Sequence, residues 1–162
     1  MERVVLKIGT AVLNSSQEIS HNEIENSPQR EIDQIVTSAL PHLDNKTQQL
    51  VIVSSGAVGL GARSLSLEPS NARSLAEIQM CASVGQTLLI EAYSRALAKY
   101  NYSAAQILLT SEDLQNQSKR ANLISCLQEL ENHKVVPIVN ENDVISTEEL
   151  QPLPGNETNW FG

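Results

Sequence analysis

Four short aliphatic runs, at 3–8, 50–53, 104–109 and 134–139, alternate along this chain with stretches of helical spacing. No other feature constrains the fold as much. The first run, Arg3-Val4-Val5-Leu6-Lys7-Ile8, is rich in β-branched residues and stops at Gly9. Between runs, 24–40 carries Ile32, Ile35, Val36, Ala39 and Leu40 at helical spacing, with Ser27-Pro28 as a start that puts proline at the first helical position. Residues 57–63 read as a short helix. Residues 71–99 read as a long helix interrupted near Gly85, and 119–132 as a helix with Leu123, Leu127 and Leu130 on one face. Strands alternating with helices predict a mainly parallel sheet with helices on both faces. Ligands of such sheets bind beyond the carboxyl ends of the strands. That rule selects four segments: Gly9-Thr10, 54–57, 110–113 and 140–143.

The 162 residues suffice for one domain with an aliphatic core, since 41% are apolar but only 3% aromatic. The net charge of −8 argues against a nucleic-acid partner, because no basic stripe is available to displace counterions from phosphates. An anionic ligand would be drawn by local groups rather than by the global field. No apolar run reaches the roughly 18 residues of a membrane helix, and Met1 leads directly into a strand with no signal peptide, so a reduced, cytoplasmic setting is expected. Cys81 and Cys126 sit in helical patterns and are expected to be buried free thiols. His21, His42 and His133 share no ligand spacing and read as surface residues. The long helix reads as an interior helix or as part of a subunit interface. Residues 151–158 are a loop by composition, and Trp160-Phe161-Gly162 reads as a chain cut just as another element should begin.

Each polar strand end has two readings. Lys7-Ile8-Gly9-Thr10 is an anion site, with backbone N–H groups around Gly9 and the Lys7 ammonium facing a phosphate, or it is an edge lysine before a turn. Ser54-Ser55-Gly56-Ala57 fits neither a Walker A loop nor a dinucleotide fingerprint. It offers a hydroxyl and free N–H groups at a helix start for a carboxylate or phosphoryl oxygen, or it is a turn with Ser as N-cap. Asn140-Glu141-Asn142-Asp143 recognises an ammonium group, or holds a metal with Glu148 or Glu149, or is a solvated turn. Lys119-Arg120 is a small basic spot at a helix start.

Taken together, Val5-Leu6-Lys7-Ile8-Gly9-Thr10, Ser54-Ser55-Gly56-Ala57-Val58, Ala82-Ser83-Val84-Gly85-Gln86, Gln106-Ile107-Leu108-Leu109-Thr110 and Val136-Pro137-Ile138-Val139-Asn140-Glu141-Asn142-Asp143 resemble the amino-acid kinase family. The resemblance implies a three-layer αβα sandwich with a mainly parallel sheet, here truncated to its N-terminal part. The Asn-Glu-Asn-Asp element implies L-glutamate as acceptor and ATP with Mg2+ as donor, for phosphorylation of the γ-carboxylate at the first step of proline biosynthesis. By the same resemblance Lys7 contacts phosphate and is the catalytic residue, with Gly9 and Thr10 beside it. Ser55, Gly56, Ala57, Asn140 and Asp143 bind glutamate, and no protein metal site is implied. Proline as a feedback inhibitor and a homo-oligomer are further implications. The nucleotide-binding half is expected to be absent from these 162 residues, and with it turnover by this chain alone. Gln117 stands where the family commonly has arginine, and 151–160 is longer than the family's usual link.

Overall fold

A computed structural model describes residues 2–13, 28–43, 47–68 and 73–146. The order of elements is β1 (Glu2–Ile8), α1 (Thr10–Leu13), α2 (Gln29–Ala39), β2 (Gln48–Ser54), α3 (Ala57–Ser64), α4 (Leu75–Ala98), β3 (Ser103–Leu109), α5 (Ser111–Gln115), α6 (Gln117–Glu131) and β4 (Val135–Glu141). A single 3₁₀ turn, Leu40–His42, ends α2. The four strands form a parallel sheet in the order β1-β2-β4-β3, so this is the α/β architecture that the alternation of runs predicts.

Strand side chains alternate between the two faces of the sheet. Ile8, Leu50, Ile52, Val136 and Ile138 fall on one face and enter a core with Ile32 and Val36 of α2, Leu60 of α3, and Leu89, Tyr93 and Leu97 of α4. The opposite face carries Arg3, Val5 and Lys7 on β1, where Val5 is exposed. There α6 lies along β4, and its last residue, Glu131, reaches Arg3 at 2.7 Å. Pro137 lacks the N–H a central strand would donate. The β2–β4 ladder begins just after it, with Ile52 opposite Ile138 and Val53 opposite Val139.

The chain differs from the sequence expectations at four points. Helix α4 runs through Gly85 without interruption. Pro28 occupies the N-cap position of α2 rather than the first helical turn. Cys81 is buried as expected, but Cys126 is exposed, because α6 buries none of its residues fully. The short helices α1 and α5 were not expected at all. Among the described residues no helix is long and apolar enough to cross a membrane. The expectations for residues 14–27 and 147–162, including His21, Glu148, Glu149 and the loop at 151–158, lie outside the described residues.

A buried hydroxyl pair ties α4 to the end of β2. Ser54 Oγ and Tyr93 OH lie 3.0 Å apart, and both residues are buried. Burial pushes the Tyr93 hydroxyl up to about 12. Without that partner Ser54 Oγ keeps only a 3.5 Å approach to the carbonyl of Ser55. Tyr93→Phe is therefore expected to cost about 1 kcal/mol in urea unfolding, the usual price of an orphaned buried hydroxyl; an unchanged midpoint would show that the pair contributes nothing.

Candidate functional site

The carboxyl ends of all four strands lie on one edge of the sheet, and the segments after β1, β2 and β4 sit on neighbouring strands. Strand spacing is about 4.8 Å, so roughly 10 Å separates the ends of β1 and β4. Backbone hydrogen bonds join the segment after β2 to the end of β1 and the segment after β4 to the end of β3. Ser55 N–H donates to the Ile8 carbonyl at 3.1 Å, and Asn142 N–H donates to the Leu109 carbonyl at 2.8 Å.

Lys7 is the penultimate residue of β1 and is exposed. Its register with Val53 puts it on the face away from α4. Gly9 is exposed with nothing within 4 Å of the place a Cβ would take, and Thr10 opens α1. Gly56 has a φ of +97°, a left-handed conformation that favours glycine, and a Cβ there would touch Leu13 Cδ1 at 3.4 Å. Gly56 is also the N-cap of α3 and offers no side-chain cap, so the serine capping reading fails and the first N–H groups of α3 stay uncapped by a side chain. Asn140 ends on the α4 face, 8% exposed, and its Nδ2 donates to Gln86 Oε1 at 2.8 Å. Asp143 follows in the turn after β4. Lys7 and Asn140 thus lie on opposite faces of the sheet, and a ligand touching both would straddle its crest.

Polar groups along this edge sort into two sets. Thr110 and Asp113 cap each other reciprocally, and Asp113 also receives Lys119 Nζ at 2.6 Å. Lys119, then the Thr110 backbone and hydroxyl, hold the Asp113 carboxyl down at about 2. The segment after β3 is therefore satisfied internally, and Lys119 is spent on it. Glu141 accepts from the Ser146 hydroxyl. By contrast, among the described residues nothing pairs with the Lys7 ammonium or the Asp143 carboxylate, and nothing donates to Asn140 Oδ1. Burial first, then the like charge of Glu141, pushes the Asp143 carboxyl up to about 6 from its ordinary 3.8. A carboxylate in that position gains from any cation brought beside it.

Two cavities lie elsewhere. One of about 210 Å³ opens at the amino ends of the strands beside Gln49, Tyr100 and Tyr102. One of about 420 Å³ lies between α2, α3 and α4 beside Gln29, Arg63 and Arg95. Neither includes Lys7, Ser55, Asn140 or Asp143. No group of three or more metal-ligating side chains occurs among the described residues. The residue that the sequence reading passed over is Gln86, whose only signal was its place at the end of Ala82-Ser83-Val84-Gly85-Gln86.

The amino acid kinase family model matches residues 2–159. Proteins named glutamate 5-kinase are similar over most of the chain. That of Novosphingobium aromaticivorans is 36% identical over 149 residues, covering 92% of this chain and 37% of its own length. That of Myxococcus xanthus is 38% identical over 150 residues with the same two coverages, and that of Nitrosococcus oceani is 40% identical over 153 residues, again with 92% and 37% covered. The chain thus spans a little over a third of the length of these curated relatives. Among solved structures, Giardia carbamate kinase aligns with a TM-score of 0.48 and 12% identity, over 86% of this chain and 59% of that one.

Proposed function

This chain belongs to the amino acid kinase family, and we propose that its carboxyl edge forms the glutamate-binding part of a kinase that phosphorylates the γ-carboxylate of L-glutamate with ATP and Mg2+. The observation that carries the reading is the set of groups on one edge that no described residue pairs with: a cation on β1, an amide acceptor on β4 and a carboxylate just after it. An amino acid with a distal acid complements that set. Its ammonium meets Asp143 and Asn140 Oδ1. Its chain passes Ser55 and the first turn of α3, and its γ-carboxylate points toward Gly9, Thr10 and Lys7. The names of the curated relatives support glutamate as that amino acid.

The chemistry needs no general base. A γ-carboxylate with an ordinary pKa near 4.3 is already ionised at neutral pH. One of its oxygen lone pairs forms the new bond to the γ-phosphorus while the bond from that phosphorus to the β–γ bridging oxygen breaks, and ADP leaves with the electron pair. Alignment and neutralisation of the transferred charge are what the protein supplies. Lys7 and the N–H groups around Gly9 contribute this on the acceptor side. The chain spans 37% of the length of these relatives, and it is expected to bind glutamate without turning it over.

Asp143 gives the reading a pH signature. Its folded value lies above its ordinary one, so the ionised carboxylate lowers stability. That penalty is absent below about pH 4 and complete above about pH 6. An ammonium ligand relieves it and draws the value back down. Calorimetric affinity for L-glutamate is expected to rise with pH between about 5 and 7, by up to about tenfold per unit below 6. Asp143→Asn is expected to bind weakly and lose most of that rise. Flat affinity across this range in the unmodified chain would falsify the assignment of Asp143 to the ammonium group.

A further inference from the structure

We propose that Gln86 is a positioning residue that fixes which end of the Asn140 amide faces the ligand; the inference rests on the glutamate-binding reading above. Gln86 lies in the middle of α4 and is half-buried. Its Oε1 accepts from Asn140 Nδ2 at 2.8 Å, and its Nε2 donates to Gln106 Oε1 on β3 at 3.3 Å. Three amides from β4, α4 and β3 therefore form one chain with a single direction of donation. The direction matters at its inner end. An asparagine amide presents two donors on one side and an acceptor on the other, and the two arrangements occupy nearly the same volume. With Nδ2 held by Gln86, the acceptor Oδ1 is the end left without a partner among the described residues. An acceptor there suits an ammonium group. A donor there would repel one and leave Asp143 to hold it alone.

Packing explains why α4 can perform this role. Gly85, the preceding residue, lies against the backbone of Ala57 and Gly61, which brings α4 close to the start of α3. The turn of α4 that docks α3 also aims Gln86 toward β4. Asn140 is 8% exposed, so water competes little for its amide, and the orienting partner must come from the protein.

Two substitutions separate the orienting role from simple packing. Gln86→Leu removes both bonds at similar volume. Gln86→Glu restores an acceptor for Asn140 Nδ2 and loses only the donor to Gln106. Calorimetric titration of L-glutamate is expected to show about tenfold or greater weakening in Gln86→Leu, as for loss of one hydrogen bond to a charged group. Gln86→Glu should recover most of that loss with a melting temperature close to that of the parent, while Gln86→Leu stays folded but melts somewhat lower, since it leaves Asn140 Nδ2 without its partner. Equal affinity in Gln86→Leu and the parent overturns the proposal, as does equal weakening in the two variants. Nitrogen-15 NMR of the Asn140 side-chain amide gives a readout that needs no ligand. Its protons should exchange slowly with solvent in the parent and in Gln86→Glu, and quickly in Gln86→Leu. Absence of glutamate binding by the parent would count against the proposed function, whereas fast exchange of the Asn140 amide in the parent would count against Gln86 alone.

Discussion

Gly85→Ala is expected to destabilise the chain by about 3 kcal/mol or more, although alanine is the better helix former by up to about 1 kcal/mol in an open helix interior. A Cβ built on Gly85 would sit 1.7 Å from the carbonyl oxygen of Ala57 and 2.6 Å from the amide nitrogen of Gly61. Across the same crossing, a Cβ on Gly61 would meet the Cys81 carbonyl oxygen at 1.8 Å. These neighbours are backbone, so no side chain can rotate away, and the two helices would have to separate. Separation opens the core at Leu60 and Leu89, both nearly fully buried. For a domain of this size the loss corresponds to a fall in Tm of at least about 6 °C. It also moves the first turn of α3, which follows residues 55–57, the loop proposed above to face glutamate. Gly9→Ala serves as the comparison, since nothing lies within 4 Å of its Cβ position, and its stability should hardly change. A Tm for Gly85→Ala at or above that of the parent would mean that helix propensity, not the crossing, decides the outcome.

The same glycine shows where sequence reading reached its limit. The short aliphatic runs located the four strands to within two residues at each end, because such a run is a local signal. Gly85 interrupted a helical pattern and was read as a break, but its cause is a contact with α3 more than 20 residues earlier, which no local window contains. The helix α5 was missed for the opposite reason. At five residues it is too short to show a period, yet Thr110 and Asp113 form a capping box whose spacing was visible. Cys126 was expected to be buried because its neighbours are spaced as in a helix, whereas exposure depends on what covers the outer face of α6. At the site, motif order identified the strand ends, and the parallel sheet accounts for their sharing an edge. The pairing of Gln86 with Asn140 was not legible, since a glutamine on a helix reads as a solvated residue until the fold shows which strand it meets.

Lys7→Ala carries the largest expected effect on catalysis. If Lys7 neutralises charge on the transferred phosphoryl group, its removal should act mainly in the transition state, where that charge is redistributed toward the bridging oxygen. Loss of one such electrostatic contact commonly costs about 10²–10³ in kcat, or about 3–4 kcal/mol of barrier. Glutamate binding should change much less than kcat, because the proposed ammonium contacts, Asn140 on β4 and Asp143 just after it, are remote from Lys7 and remain in place. Stability should also hold, since Lys7 is exposed and makes no ion pair among the described residues. The measurement is a pair: kcat in the turnover-competent protein, and the calorimetric affinity of this chain for L-glutamate. A drop in kcat with unchanged affinity places Lys7 at the phosphoryl group. A matching loss of affinity would instead move Lys7 onto the substrate's carboxylate in the ground state, leaving the N–H groups around Gly9 and the start of α3 as the groups on this chain that face the transferred phosphate.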